Sequence, residues 1–205
     1  MKTIKIFQKK IKPILLLLMF SPLATVAQTA YQLTQSNSSS VKVTGTSNVH
    51  DWSMISKQFE STGTFNFNSL GEMTDVTALK FTLATKSLKS GKSGMDERTY
   101  KTLNEKEFPK ISYRLTFATV TMVQANRYSI QTTGILSIAG KTQSLSMKVM
   151  ALVNADGSIS CHGSENLMFT DYAIQPPSFM LGAMKVGNNL LIHFELDYTK
   201  VSSAK

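Results

Sequence analysis

From about residue 39 to residue 199 the chain alternates apolar and polar residues with a period of two. Val41, Val43 and Gly45 alternate with Lys42, Thr44 and Thr46, and Phe59, Ser61, Gly63, Phe65 and Phe67 with Glu60, Thr62, Thr64 and Asn66. Leu79, Phe81 and Leu83 form one side of a further run, and Ile111, Tyr113, Leu115 and Phe117 one side of the next. The pattern continues through Tyr128, Ile130, Thr132, Gly134, Leu136 and Ile138, then Leu145, Met147, Val149 and Ala151, and ends with Ile192, Phe194, Leu196 and Tyr198. Successive side chains of a strand point to opposite faces, so each run predicts a strand with one buried and one wet face. That pattern belongs to antiparallel sheets, since parallel strands are usually buried on both faces.

The connections agree. Gly140-Lys141, Asp156-Gly157 and Gly187-Asn188-Asn189 predict tight turns, and Asn68 to Asp75 and Gln124-Ala125-Asn126 longer hairpin turns. The polar run Ser36 to Ser40 predicts a turn as well. About eight strands joined in this way, each with a single apolar face, must close into a barrel or pair as a sandwich. Closure is the expectation, because it leaves no exposed edge. The fold class is therefore all-β, a single antiparallel up-and-down barrel with one short helix. The helix is predicted over Ser93 to Lys106, with Ser93 and Asp96 spaced as a capping box and Met95, Thr99 and Leu103 on one face beside Tyr100. Pro109 then opens the next strand.

The first residues read differently. Lys2, Lys5, Lys9, Lys10 and Lys12 precede an unbroken apolar run from Ile14 to Phe20, and Thr25-Val26-Ala27 places small residues before Gln28. This order predicts a secretory signal peptide over residues 1–27, cleaved near Ala27, and a periplasmic or secreted protein. The run is too short to span a bilayer. The domain then occupies 28–205, and 205 residues less 27 leaves 178, enough for one core. Five of the nine net positive charges leave with the signal, so about +4 remains, without the basic stripe that nucleic acid requires. Cys161 is the single cysteine, so no disulfide forms within the chain.

Groups capable of catalysis do not converge in the sequence. His162 and His193 fall on polar strand faces, His50 sits in a His50-Asp51-Trp52 loop, and no pair has the spacing of metal ligands. No serine occupies a nucleophile elbow. Gly91-Lys92-Ser93 lacks the upstream glycine of a phosphate loop, where Lys86 stands instead. Cys161, flanked by Ile159 and Gly163, is expected as a buried, inert thiol. Trp52 either caps an apolar guest at an entrance or closes the barrel end as core, and the inward phenylalanines either fill the interior or line it.

Four blocks carry a family resemblance. Val43-Thr44-Gly45-Thr46-Ser47-Asn48-Val49-His50-Asp51-Trp52 resembles the opening of YceI-like domains. Ser87 to Ser90, with Met95-Asp96, Tyr100, Leu103 and Phe108 to Tyr113, is similar to the family's strand-helix-strand block. Gly134 to Thr142 is similar to its hairpin, and Phe169 to Pro177 to its late strand and loop. The resemblance covers about residues 40 to 198. It implies a barrel of lipocalin-like architecture, export, and an apolar tunnel holding an isoprenoid chain or similar lipid. It supplies no catalytic residue.

The expected function is a non-catalytic carrier of a long apolar ligand. The wall is expected from Trp52, Phe59, Phe65, Phe81, Leu83, Tyr113, Leu115, Phe117, Leu136, Met147, Phe169 and Phe194, with Gly45, Gly63, Thr132, Gly134 and Ala151 opening space opposite the aromatics. No cofactor, metal or catalytic residue is expected. The partner is an apolar small molecule or lipid, with no nucleic acid and no integral membrane anchor, and a homodimer is one assembly open to the chain. The alternative is an accessory or interaction protein with a filled core.

Overall fold

A computed structural model describes residues 27–34 and 38–201, so the signal segment proposed over 1–27 lies, apart from Ala27, outside the described residues. Among the described residues eleven strands and one α-helix follow: β1 (Ala27–Leu33), β2 (Ser40–Ser47), β3 (Trp52–Ser56), β4 (Phe59–Phe67), β5 (Met73–Ala84), α1 (Ser93–Thr102), β6 (Lys110–Gln124), β7 (Arg127–Ile138), β8 (Lys141–Val153), β9 (Ile159–Met168), β10 (Ser178–Phe179) and β11 (Met184–Lys200). Every pairing is antiparallel. The sheet runs β1-β4-β5-β6-β7-β8-β9-β11 and returns through a β1–β11 pairing, a closed ring of lipocalin-like type.

The seam of that ring was not expected. β1 falls in a stretch, Ala27-Gln28-Thr29-Ala30-Tyr31-Gln32-Leu33, with little apolar alternation. It bridges β4 along six register pairs and the far end of β11 at Tyr31, Gln32 and Leu33. Higher on the same edge of β11, β2 takes over, with Phe194 opposite Val41 and Leu190 opposite Gly45. The β2–β3 hairpin then closes against the segment before α1 through Ile55 and Lys89, which exchange both backbone hydrogen bonds. Asp197 pins the junction, accepting from Ser38 and Ser160 side chains while its backbone N–H donates to Ser39 Oγ.

The faces are as expected: the inner positions of β7 are all buried, and Lys42, Lys80, Arg114, Lys148 and Glu195 are exposed outside. A bilayer-spanning barrel has the reverse arrangement. One position is a correction. Leu115 pairs with Gly134 but Phe117 pairs with Thr133, so Thr116 is an extra residue in β6. The bulge rotates everything after it by one step. Phe117, expected inside, therefore points to solvent at 65% exposure, and Ala118 takes the inner place.

Three further expectations are corrected. Gly187-Asn188-Asn189 is not a turn but an irregularity within β11, between Val186 and Leu190. Two more residues there than on β2 let the long strand bend without ending. The helix stops at Thr102 rather than Lys106. Ser93 and Asp96 form no capping box: Lys92 is the N-cap, and Asp96 instead accepts from the Ser90 backbone N–H and hydroxyl, both at 2.7 Å. The nearer loop donors satisfy the carboxylate first. Of the Ser36 to Ser40 run, Ser36 and Asn37 lie outside the described residues, and Ser40 begins β2.

Candidate functional site

The interior holds a cavity of about 470 Å³. It is closed at one end by aromatic packing. Tyr31, Phe65, Tyr128, Ile159 and Tyr198 are all at most 1% exposed there. Tyr31 meets Phe65 edge-on at 5.2 Å and Phe65 meets Tyr198 at 5.7 Å. Each phenol is partnered: Tyr31 donates to the Gly157 carbonyl, Tyr198 bonds Ser61 at 2.8 Å, and Tyr128 accepts from the Met73 N–H at 3.1 Å. A buried phenol without a partner would cost free energy, so this end is built as solid core.

The other end is open. It is framed by the β2–β3 turn, α1, the end of β9 and the β10–β11 hairpin, with Ser47, His50, Lys92, Arg98 and Phe179 at the mouth. α1 lies across part of it, with Met95, Thr99 and Leu103 facing the cavity as the spacing predicts. The helix is held from below: the Tyr100 hydroxyl sits within hydrogen-bond distance of Lys89 Nζ and of the Leu88 carbonyl, both at 2.8 Å. Burial works to raise the Asp96 pKa, but the two Ser90 hydrogen bonds and the Lys89 ammonium outweigh it, and the carboxyl ends below its ordinary value.

Of the expected wall residues, Trp52, Phe65, Phe81, Leu83, Tyr113, Leu115, Leu136, Met147, Phe169 and Phe194 line the cavity. Phe59 does not. It is buried behind the wall, 5.4 Å from the Phe81 ring. Phe117 is outside for the reason given above. The sequence reading missed Met54, 1% exposed, which approaches Thr99 of the helix, and Leu88 in the loop before α1. Met54 does fall two residues after Trp52, so its inward face was readable from the alternation.

The glycines act otherwise than expected. A Cβ on Gly45 would lie 2.3 Å from Trp52 Cζ2, one on Gly134 2.4 Å from Tyr113 Cζ, and one on Gly163 2.5 Å from Phe194 Cζ. Each glycine is covered by an aromatic ring instead of facing empty space. The rings lie down on the wall, which is how the lumen stays open among so many aromatics. Trp52 is half-buried wall near the mouth, and its indole N–H donates to the Thr46 carbonyl at 3.1 Å.

Titratable groups do not gather in the chamber. His162 and His193 are exposed on the outer face. His50 reaches the mouth, but its Nδ1 bonds the Asp51 backbone carbonyl at 2.8 Å rather than a carboxylate. Among the described residues no group of three or more His, Cys, Asp or Glu is placed to hold a metal. Burial, then Asp197, pushes the Cys161 thiol up to about 12. Burial also raises the Tyr113 phenol, which Thr132 offsets in part.

Ring closure, an apolar chamber and a single framed mouth define a barrel of the lipocalin-like class. The chain belongs to the YceI-like domain family, which matches residues 31–198. Its fold is similar to that of Burkholderia cenocepacia BcnA, at 16% identity, a TM-score of 0.63, and coverage of 82% of this chain and 99% of that one. A polyisoprenoid binding domain from Saccharophagus degradans, implicated in plant cell wall breakdown, is similar at 9% identity and a TM-score of 0.63, covering 84% of this chain and 99% of that one. A Campylobacter jejuni YceI protein is similar at 12% identity and a TM-score of 0.52, with 70% and 82% covered. No curated protein matches the sequence.

Proposed function

We propose that the protein is an exported, non-catalytic carrier of a long apolar molecule, an isoprenoid or similar lipid, held in the barrel with its end at the mouth. The observation that carries this is the cavity of about 470 Å³, walled by apolar strand faces, closed at the Tyr31–Tyr198 end and open beside α1. Ligand pockets fall in the same size range, roughly 300–1,000 Å³. The cavity favours this reading over the accessory-protein alternative, whose mark is a filled interior. Membership of the YceI-like family and likeness to a domain named for polyisoprenoid binding support the choice of cargo. The lysine-rich, apolar, small-residue order of residues 1–27 supports export.

The energetics are adequate. Removing roughly 400 Å² of chain from water gains about 10 kcal/mol, from which association costs are subtracted. The ten wall residues named above are the proposed contacts; Lys92 and Arg98 stand at the mouth, where a polar head would stay wet, and Glu165 faces inward from β9. Native mass spectrometry of protein purified from its own compartment, with lipid extraction of the same sample, tests the proposal. A stoichiometric apolar ligand released on unfolding is expected. A clean apo mass together with no uptake of added isoprenoids would sink it.

A further inference from the structure

The open end carries a feature that ligand storage does not require. Four large apolar side chains stand in solvent around the mouth: Val49 in the β2–β3 turn, Met168 at the end of β9, and Met180 and Leu181 at the tip of the β10–β11 hairpin. Met180 is 74% exposed, and Leu181 is fully exposed and covered by nothing. A solvent-facing hairpin tip ordinarily uses Gly, Asn or Asp, which accept positive φ. Here Met180 and Leu181 both adopt left-handed backbone, at φ 53° and 54°. Bulky side chains held there cost free energy, and such strain persists where surrounding structure enforces it.

That structure is present at the base of the hairpin. Asn48 binds it three times: its backbone N–H donates to the Lys185 carbonyl, its Nδ2 to the Ala183 carbonyl, and its Oδ1 accepts from the Lys185 N–H. The Arg98 guanidinium lies over the Phe179 ring at 4.9 Å. The hairpin is thus anchored below while its apolar tip projects beside the cavity mouth.

We infer that the Met180–Leu181 tip and the apolar residues around the mouth insert into the surface of a phospholipid bilayer, so that cargo passes between membrane and barrel without crossing water. The protrusions are separate and come from three segments, which suits a fluid apolar phase better than a rigid protein face. Phe179 and Met184 line the cavity directly beneath the tip, so an apolar path runs from tip to chamber. The four protruding side chains themselves carry no charge. Docking therefore depends on apolar insertion and only weakly on salt. Its purpose rests on the carrier reading, but docking itself is tested without cargo.

The test compares the mature protein with a Met180→Asn, Leu181→Asp variant, whose new residues tolerate the left-handed backbone and touch no core. Both are sedimented with phosphatidylcholine vesicles. Uptake of a dansyl-labelled isoprenoid alcohol is then followed from ethanol dilution and from vesicles. The variant is expected to bind vesicles about tenfold or more weakly. Its uptake from vesicles should slow in parallel, while uptake from ethanol is unchanged. Equal vesicle binding by the two proteins, or none by either, overturns the inference. So does concentration-dependent self-association that the variant abolishes in the absence of vesicle binding, which would assign the tip to a second copy of the chain. Vesicle binding that the variant loses, with no uptake of the chain by either route, would remove the carrier reading and leave the docking face standing.

Discussion

Gly45, Gly134 and Gly163 decide where three aromatic rings lie, and through them how much lumen remains. Gly134 does not need its conformational freedom, since its φ is not positive; it needs the absence of a side chain under Tyr113. Gly134→Ala places a methyl 2.4 Å from the Tyr113 ring, which must swing into the chamber. The expected cost is about 1–3 kcal/mol of stability, with weaker uptake of an apolar chain. Denaturant unfolding and a binding titration measure the two, and the same change in a Tyr113→Leu background should cost less. Cys161 is a second residue-scale case. Its thiol, held up to about 12, stays protonated at pH 9.0, the ordinary thiol value, so native protein should resist thiol reagents that label the unfolded chain. The sign for stability follows from the same shift. Below 9.0 neither state ionises, whereas from 9.0 to about 12 only the unfolded thiol does, so stability falls as pH rises through that window.

Two elements, β6 and α1, show where alternation is a sufficient guide and where it is not. The bulge at Thr116 makes Phe117 an outer residue. Phe117→Ser is therefore expected to change stability by no more than about 0.5 kcal/mol, while Phe81→Ala, on the inner face, should cost about 3–5 kcal/mol; equal losses in denaturant melts would return Phe117 to the core. Period-two patterning could not reveal the extra residue, because a bulge leaves no mark on composition, and the inference from Leu115 to Phe117 assumed an unbroken pleat. β1 was hidden for another reason: Tyr31 is its one large buried residue, and the strand is recruited by two neighbours rather than by a pattern of its own. The inner faces of β2, β4, β7, β8 and β11 were legible, and with them most of the wall. α1 was legible as a helix over the barrel end, but its anchor was not, because the Ser90 contact to Asp96 is a loop geometry. Since hydrogen bonds to Ser90 hold the Asp96 pKa below its ordinary 3.8, the anchoring is complete above that value and is lost as pH falls through the lower folded value. Hydrogen-exchange protection factors should accordingly fall over residues 88–103 on acidification, and in Asp96→Asn already at neutral pH.

At the scale of the whole molecule the barrel is divided between an end that is core and an end that is a doorway. The dividing layer is the ring packing of Tyr31, Phe65 and Tyr198, and it hangs on β1, the strand that closes the seam. Tyr31 belongs to both: its backbone pairs with Gly63 and Lys200, and its ring meets Phe65 edge-on and approaches Phe67 at 6.2 Å. Removing the ring should therefore do two things at once. Tyr31→Ala is expected to cost about 3–5 kcal/mol, the usual loss for a large buried aromatic, whereas Tyr31→Phe gives up only the 3.3 Å bond to Gly157 and should cost about 0.5–1.5 kcal/mol. The space left by alanine also removes the packing behind Phe65, which lines the chamber floor, so a bound chain has a looser stop. Its dissociation, followed with a fluorescent isoprenoid displaced by unlabelled competitor, should quicken in Tyr31→Ala and stay near the unsubstituted rate in Tyr31→Phe. Faster release with the predicted stability loss would mean that the aromatic layer retains the cargo as well as closing the fold. Unchanged release despite that loss would mean that cargo sits entirely above Phe65, and that retention is set by the residues around the mouth.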